Sequence, residues 1–182
     1  MVKVTFGRST VRRGVFETNS SSSHSVTVRG EWDEYSQDYT DDMNCDVDAE
    51  TNKIILNPDG YGWGYDVLVT PEQKLCYLVA QIFESAQRAL DWNVKWSVFK
   101  EYPEFKELDD FIKTHTKYDG IVLWNDRENR PYMDDEVISD DIYVDHQSYC
   151  GSVESFLKDW RIDLERYLFD YDVRVIIDND NH

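Results

Sequence analysis

The sequence predicts an α+β fold: a mixed, mainly antiparallel sheet with about three helices packed on one face, in a single domain spanning residues 1–182. Three observations predict it. Short alternating apolar runs, HSVTVR near one end and DVRVIID near the other, have the two-residue period of half-buried strands. Two longer segments open on a proline and then place apolar residues at helical spacing. The resulting order, β–β–β–α–α–β–β–α–β, reads as α+β.

The elements follow in chain order. Lys3–Phe16 alternates weakly and is expected to form one or two short strands. His24–Gly30 sets Val26 and Val28 on one face of a strand. Glu31–Glu50 then holds nine acids and no base without either periodicity, and is expected to be a mobile acidic loop containing Asp41 and Asp42. Asn52–Asn57 (NKIILN) is a strand closed by the turn NPDG. The glycines of YGWGYDVLV loosen the chain before a short apolar run. Thr70-Pro71-Glu72-Gln73 combines an N-cap, a proline at the first helical position and a glutamine three residues on, so a helix is expected over Pro71–Leu90. DWNVKWSVF, from Asp91 to Phe99, fits strand and helix equally. Pro103 starts a helix with Phe105, Leu108, Phe111 and Ile112 on one face, and DGIVLWN follows as a turn and buried strand. DIYVDHQSY is a further alternating strand. Ser152 caps a last helix carrying Val153, Phe156, Leu157, Trp160, Leu164 and Leu168, and Asp172–Asp178 ends the fold as a strand.

Composition bounds the function. Hydrophobic residues make up 41% and aromatics 14%, enough for a core, so global disorder is excluded. No run approaches the ~20 apolar residues of a membrane span, and MVKVTFGRST lacks the apolar centre of a signal peptide. Cys45, Cys76 and Cys150 are odd in number and widely spaced, against a disulfide framework or a cysteine-rich zinc site. A cytoplasmic protein that does not meet the membrane is expected.

The charge is lopsided. The chain has 37 acids and 19 bases, a net of −18. Residues 1–30 hold Lys3, Arg8, Arg12, Arg13 and Arg29 against Glu17, a net of +4; the remaining 152 residues therefore carry −22. Such a field repels phosphate backbones and attracts basic grooves, so direct nucleic-acid contact is expected only through the basic N-terminal segment. Solubility alone also accounts for acidity. Asp134–Asp145 is the more informative stretch: Asp134, Asp135, Glu136, Asp140, Asp141 and Asp145 come with no base and are mixed with Tyr143 and aliphatic residues. Acids on strand ends mixed with tyrosine imitate the charge spacing of a duplex, as DNA mimics do.

Other chemistry is weaker. Ser23 and His24 suggest a nucleophile and its base, but strand neighbours point to opposite faces and no G-x-S-x-G elbow surrounds them. The same letters fit a polar loop whose Asn19 and serine hydroxyls bond the backbone. Arg12 and Arg13 with those hydroxyls could cradle a phosphate, yet no nucleotide-binding loop motif is present. DVDAETN opens like a calcium loop but has Thr51 at the turn glycine and Asn57 at the closing glutamate. His24, His115, His146 and His182 never reach H-x-x-x-H spacing, and the GYGWG glycines do not lie between a strand and a helix. No metal or cofactor is expected.

One string is distinctive: Arg12-Arg13-Gly14-Val15, then Phe16-Glu17-Thr18-Asn19-Ser20-Ser21-Ser22-Ser23-His24-Ser25. It resembles the R-x-G-x-F-E-T-N-S-S-S-S-H-S run of uncharacterised small proteins from phages and mobile elements of Gram-positive bacteria. The resemblance covers only about Arg12–Val28 and implies origin rather than activity. In size and acidity the chain also resembles type II-A anti-CRISPR proteins, which obstruct target-DNA binding or cleavage by binding Cas9. That resemblance implies a non-enzymatic inhibitor, with Cas9 and its guide RNA as partner and its basic channels and Arg-based PAM readers as the target surface. The alternatives are a small phage enzyme using Ser20–His24 and a virion or accessory structural protein.

Overall fold

The computed structural model describes residues 24–29, 45–90, 92–145 and 151–179; for 24–29 and 178–179 it describes the backbone only. Arg12, Arg13, the Phe16–Ser23 motif, and Asp41 and Asp42 lie outside the described residues.

The structure is α+β. Its strands are β1 (His24–Arg29), β2 (Val47–Asp48), β3 (Lys53–Leu56), β4 (Gly60–Tyr61), β5 (Asp66–Leu68), β6 (Ile121–Asn125), β7 (Arg130–Pro131), β8 (Tyr143–Val144) and β9 (Arg174–Asn179). Its helices are α1 (Pro71–Ala89), α2 (Trp96–Phe99), α3 (Pro103–His115), α4 (Val153–Trp160) and α5 (Leu164–Phe169). Pairing is mixed and mostly antiparallel, as predicted, but among the described residues the strands form three small sheets: β1-β9-β5, β2-β3-β6-β7 and β4-β8. Two pairs are parallel, β3 with β6 and β4 with β8.

α1 is the spine. Its start has a physical cause: Thr70 Oγ1 accepts from the Gln73 amide at 3.2 Å, while Gln73 Oε1 accepts from the Thr70 amide at 3.2 Å. This reciprocal box satisfies two amides that the helix itself leaves open. From Lys74 to Gln87 every residue of α1 is buried. The polar residues Lys74, Gln81, Glu84, Ser85 and Gln87 are buried together with the apolar stripe. The two halves of the helix meet different aromatic groups. Tyr77 packs edge-on to Tyr61 at 5.3 Å and near Phe156 at 6.0 Å. Phe83 packs edge-on to Phe99 at 5.3 Å, and Phe99 lies 4.7 Å from Phe105. Such pairs add about 0.5–1.5 kcal/mol each beyond the area they bury.

One open expectation is resolved and two need correction. The ambiguous Asp91–Phe99 stretch is both: Lys95 bridges Val137 as a single β-pair, and α2 follows directly. The last helix is two. Arg161 adopts a left-handed conformation (φ 54°), and Asp163 Oδ1 then accepts from the Arg166 amide at 2.8 Å to cap α5. The break lets Ile162 turn into the core. Finally, the strand expected over DIYVDHQSY is only Tyr143–Val144 within the described residues, and its partner is the parallel β4.

Gly120 sets the entry to β6. Its φ is +122°, and a Cβ there would overlap the Asp109 carboxylate. That carboxylate accepts from the Ile121 amide at 2.7 Å, and the Gly120 carbonyl accepts from Ile54 at 2.9 Å where β3 and β6 begin to pair. Gly120→Ala is therefore expected to destabilise the fold by about 2 kcal/mol, measured as a lower denaturation midpoint at unchanged slope.

Candidate functional site

The acidic segment predicted to bind a partner, Asp134–Asp145, follows β7 and is held from both sides. Tyr132 donates its amide to Leu123, Ile138 to Val94, and the amides of Trp96 and Ser97 donate to the carbonyls of Glu136 and Asp134 at 2.9 and 3.1 Å. α2 has no side-chain cap, so these carbonyls serve its open N-terminal amides.

Within this frame much of the predicted charge is internally matched. The Arg130 guanidinium grips both oxygens of Glu136 at 2.9 and 2.6 Å, and the Met133 amide donates to the same carboxylate at 2.7 Å. The Arg130 fork first and the Met133 amide second hold the Glu136 carboxyl down at about 2. Lys100 Nζ meets Asp134 at 2.5 Å. Asp141 accepts from Ser139 Oγ at 2.7 Å and faces Arg127 at 3.6 Å. Among the described residues no cation pairs with Asp135 or Asp140, both exposed. The Glu136 shift has a consequence in acid. A carboxyl depressed in the fold contributes stability above its unfolded value near 4.5 and loses it as pH falls toward 2. Glu136→Gln is expected to lower the unfolding midpoint at neutral pH and to flatten the acid limb between pH 4.5 and 2, read by thermal melts across that range.

The parallel β4–β8 pair brings a second group of residues to this segment. Gly60 is opposite Tyr143, Tyr61 is opposite Val144, and the Asp145 amide donates to the Tyr61 carbonyl at 2.8 Å. A Cβ on Gly60 would overlap the Tyr143 ring, so only glycine admits the ring this close to the chain. Asp59 and Asp66 thereby join Asp141 and Asp145 around Tyr61 and Tyr143. Burial first, then Asp59, raises the Asp66 carboxyl above the usual range. Burial followed by Asp59, Asp145 and Asp141 raises the Tyr143 hydroxyl. Tyr61, deeper, is raised further by burial first, then by Cys76, Asp59 and Asp66. Between Asp59 and Asp66, Trp63 is 65% exposed and Tyr65 59%. Sequence inspection passed over these four residues; the glycine-spaced aromatics of GYGWGY were the available signal.

Ser23 and the His24 side chain lie outside the described residues. Burial first, then Glu72, pushes both the Cys45 and Cys76 thiols up to about 12, the opposite of an activated nucleophile. His115 stacks on Phe111 at 4.0 Å and its Nδ1 lies 3.0 Å from the Phe111 carbonyl at the end of α3. Among the described residues no cluster of three or more His, Cys, Asp or Glu side chains is arranged to hold a metal. No protein-family model, curated protein or solved structure matches this chain. No helix of the described residues is long and apolar enough to cross a membrane.

Proposed function

We propose that this chain is a non-enzymatic anti-defence protein of phage or mobile-element origin that binds a basic surface of a nucleic-acid-handling enzyme, specifically Cas9 loaded with guide RNA, and obstructs its access to target DNA. The observation that carries this reading is the composite surface at the β4–β8 pair. There Asp59 and Asp66 from one region and Asp141 and Asp145 from another lie about the half-buried Tyr61 and Tyr143, and Trp63 and Tyr65, between Asp59 and Asp66, are exposed. Desolvated aromatics supply affinity in interfaces, and a rim of one charge sign supplies fast, selective encounter. The net charge of −18 works in the same direction over longer range.

The test is titration of guide-loaded Cas9 with the full chain across salt, read as binding and as inhibition of DNA cleavage. Affinity should fall steeply as salt rises. Because Asp134 and Asp141 already face Lys100 and Arg127, neutralising Asp59, Asp66, Asp135 and Asp140 together should weaken binding by about tenfold or more. Neutralising Asp134 and Asp141 should cost less. Salt-independent affinity, or absence of binding to Cas9, overturns the reading.

A further inference from the structure

The sheet β1-β9-β5 ends on β5 among the described residues, with Asp66, Val67 and Leu68 paired to Ile177, Ile176 and Val175 of β9 on one side only. Natural proteins commonly guard such an edge with lysine, proline or a covering element. Here the approach to the edge carries Trp63 and Tyr65, the edge itself carries Val67 at 37% exposure, and Leu68 alone turns into the core. The guard is Asp66, with Asp59 nearby, and among the described residues neither forms an ion pair with a cation. An aspartate edge on a chain of net charge −18 repels a second copy of itself. It does not repel a basic strand.

We propose that the outer edge of β5 receives an extended, Arg- or Lys-bearing segment of a protein partner as an added strand. Its cations face Asp59 and Asp66, and its alternate side chains lie on Trp63, Tyr65 and Val67. Strand addition takes affinity from main-chain hydrogen bonds and specificity from alternate side chains. Burial and Asp59 both disfavour the ionised Asp66, and an incoming cation relieves that penalty. This inference rests on the reading of the chain as a partner-binding protein and names which element docks and what it takes.

The probe is a synthetic nine-residue peptide alternating Arg with Val, blocked at both ends, titrated into the full-length chain. Binding is followed by calorimetry and by backbone amide NMR. Saturable binding is expected, with amide shifts concentrated at residues 65–68 and their β9 partners. A peptide of identical charge with alternate amides N-methylated should bind at least about tenfold more weakly, because it cannot complete the ladder. Trp63→Ala/Tyr65→Ala should weaken the unmethylated peptide comparably. Should that variant lose its fold, Asp59→Asn/Asp66→Asn serves instead and should reduce both affinity and its salt dependence. Equal binding of the methylated peptide, shifts that avoid β5, or indifference to the aspartate variant overturns strand addition. The Cas9 reading fails separately. Peptide docking at β5 without any binding to Cas9 removes the nuclease and keeps the edge; Cas9 inhibition unaffected by Trp63→Ala/Tyr65→Ala removes the edge and keeps the nuclease.

Discussion

Phe99→Ala is expected to destabilise the protein by about 4 kcal/mol, the range of large-to-small aromatic substitutions in a well-packed core. Phe99 is fully buried and touches three aromatic neighbours, Phe83 at 5.3 Å, Phe105 at 4.7 Å and Trp96 at 6.2 Å. Removing its ring leaves a cavity bounded by stiff groups on α1, α2 and α3, which cannot all close on it. The damage extends beyond the cavity. α2 is four residues long and holds the Asp134–Glu136 backbone through the amides of Trp96 and Ser97. A loosened α2 therefore loosens the acidic segment 134–138, thirty-five or more positions along the chain. Denaturant unfolding gives the stability loss. Faster amide exchange at Trp96 and Ser97, relative to α3, reports the coupling to the acidic segment. A loss below about 1 kcal/mol contradicts the assignment of Phe99 to a tightly packed centre.

The second large effect is a pH dependence carried by Lys74. Its side chain has no solvent exposure; Nζ donates to the Asp170 carbonyl at 2.9 Å and the Val173 carbonyl at 3.4 Å, and lies 6.0 Å from the Tyr167 ring centre. Burial lowers the ammonium to about 8, against a smaller opposing pull from Asp170. The unfolded chain holds this proton up to about 10.5, so between those values it binds more protons than the fold and stability rises with pH. The ceiling is on the order of 3 kcal/mol, with about 1 kcal/mol gained between pH 8 and 9. From about pH 8 upward the raised thiols of Cys45 and Cys76 work in the opposite direction, since the unfolded chain releases those protons first, so the lysine's gain is read as the difference between the wild-type and Lys74→Met profiles. Lys74→Met removes the lysine titration and should abolish the rise between pH 8 and 9. Its stability at pH 7 should change little, because losing a buried charge offsets losing the donor to two carbonyls. Chemical denaturation of both proteins at closely spaced pH values checks this; a parallel rise in the variant assigns the effect elsewhere.

What the sequence made legible was mostly local. Thr70 and Gln73 marked the start of α1 because their side chains cap their own helix. Pro103 marked α3 because its fixed φ suits the first helical position, where no amide partner is needed, and NKIILN, GIVLWN and VRVIID read as strands through their apolar content. The fold class followed from their order. Long-range pairing was not legible. Nothing at Gly60–Tyr61 announces a parallel partner more than eighty residues away, and two-residue strands have too little pattern to show a register. The internal pairing of these charges was not legible either. Asp134–Asp145 looked free of bases because Arg127 and Arg130 lie just upstream of it and Lys100 lies on a distant turn, yet all three fold back onto it. Arg161 offered no warning of the break between α4 and α5; Asp163, a good N-cap residue, did.

The two-residue β4–β8 ladder also sets an order of events. It closes a loop of roughly eighty residues, and the entropic cost of that closure must be met before the ladder's few hydrogen bonds form. α1, with its own capping box, and the β6–β7 hairpin close over short separations and have no such requirement. The gathering of Asp59, Asp66 and Tyr143 is thus expected late in folding and early in partial opening, which amide exchange at Tyr61 and Asp145 against α1 would read. A partner bound across that seam holds the two stretches together, so it acts as a clasp on a ladder only two residues long.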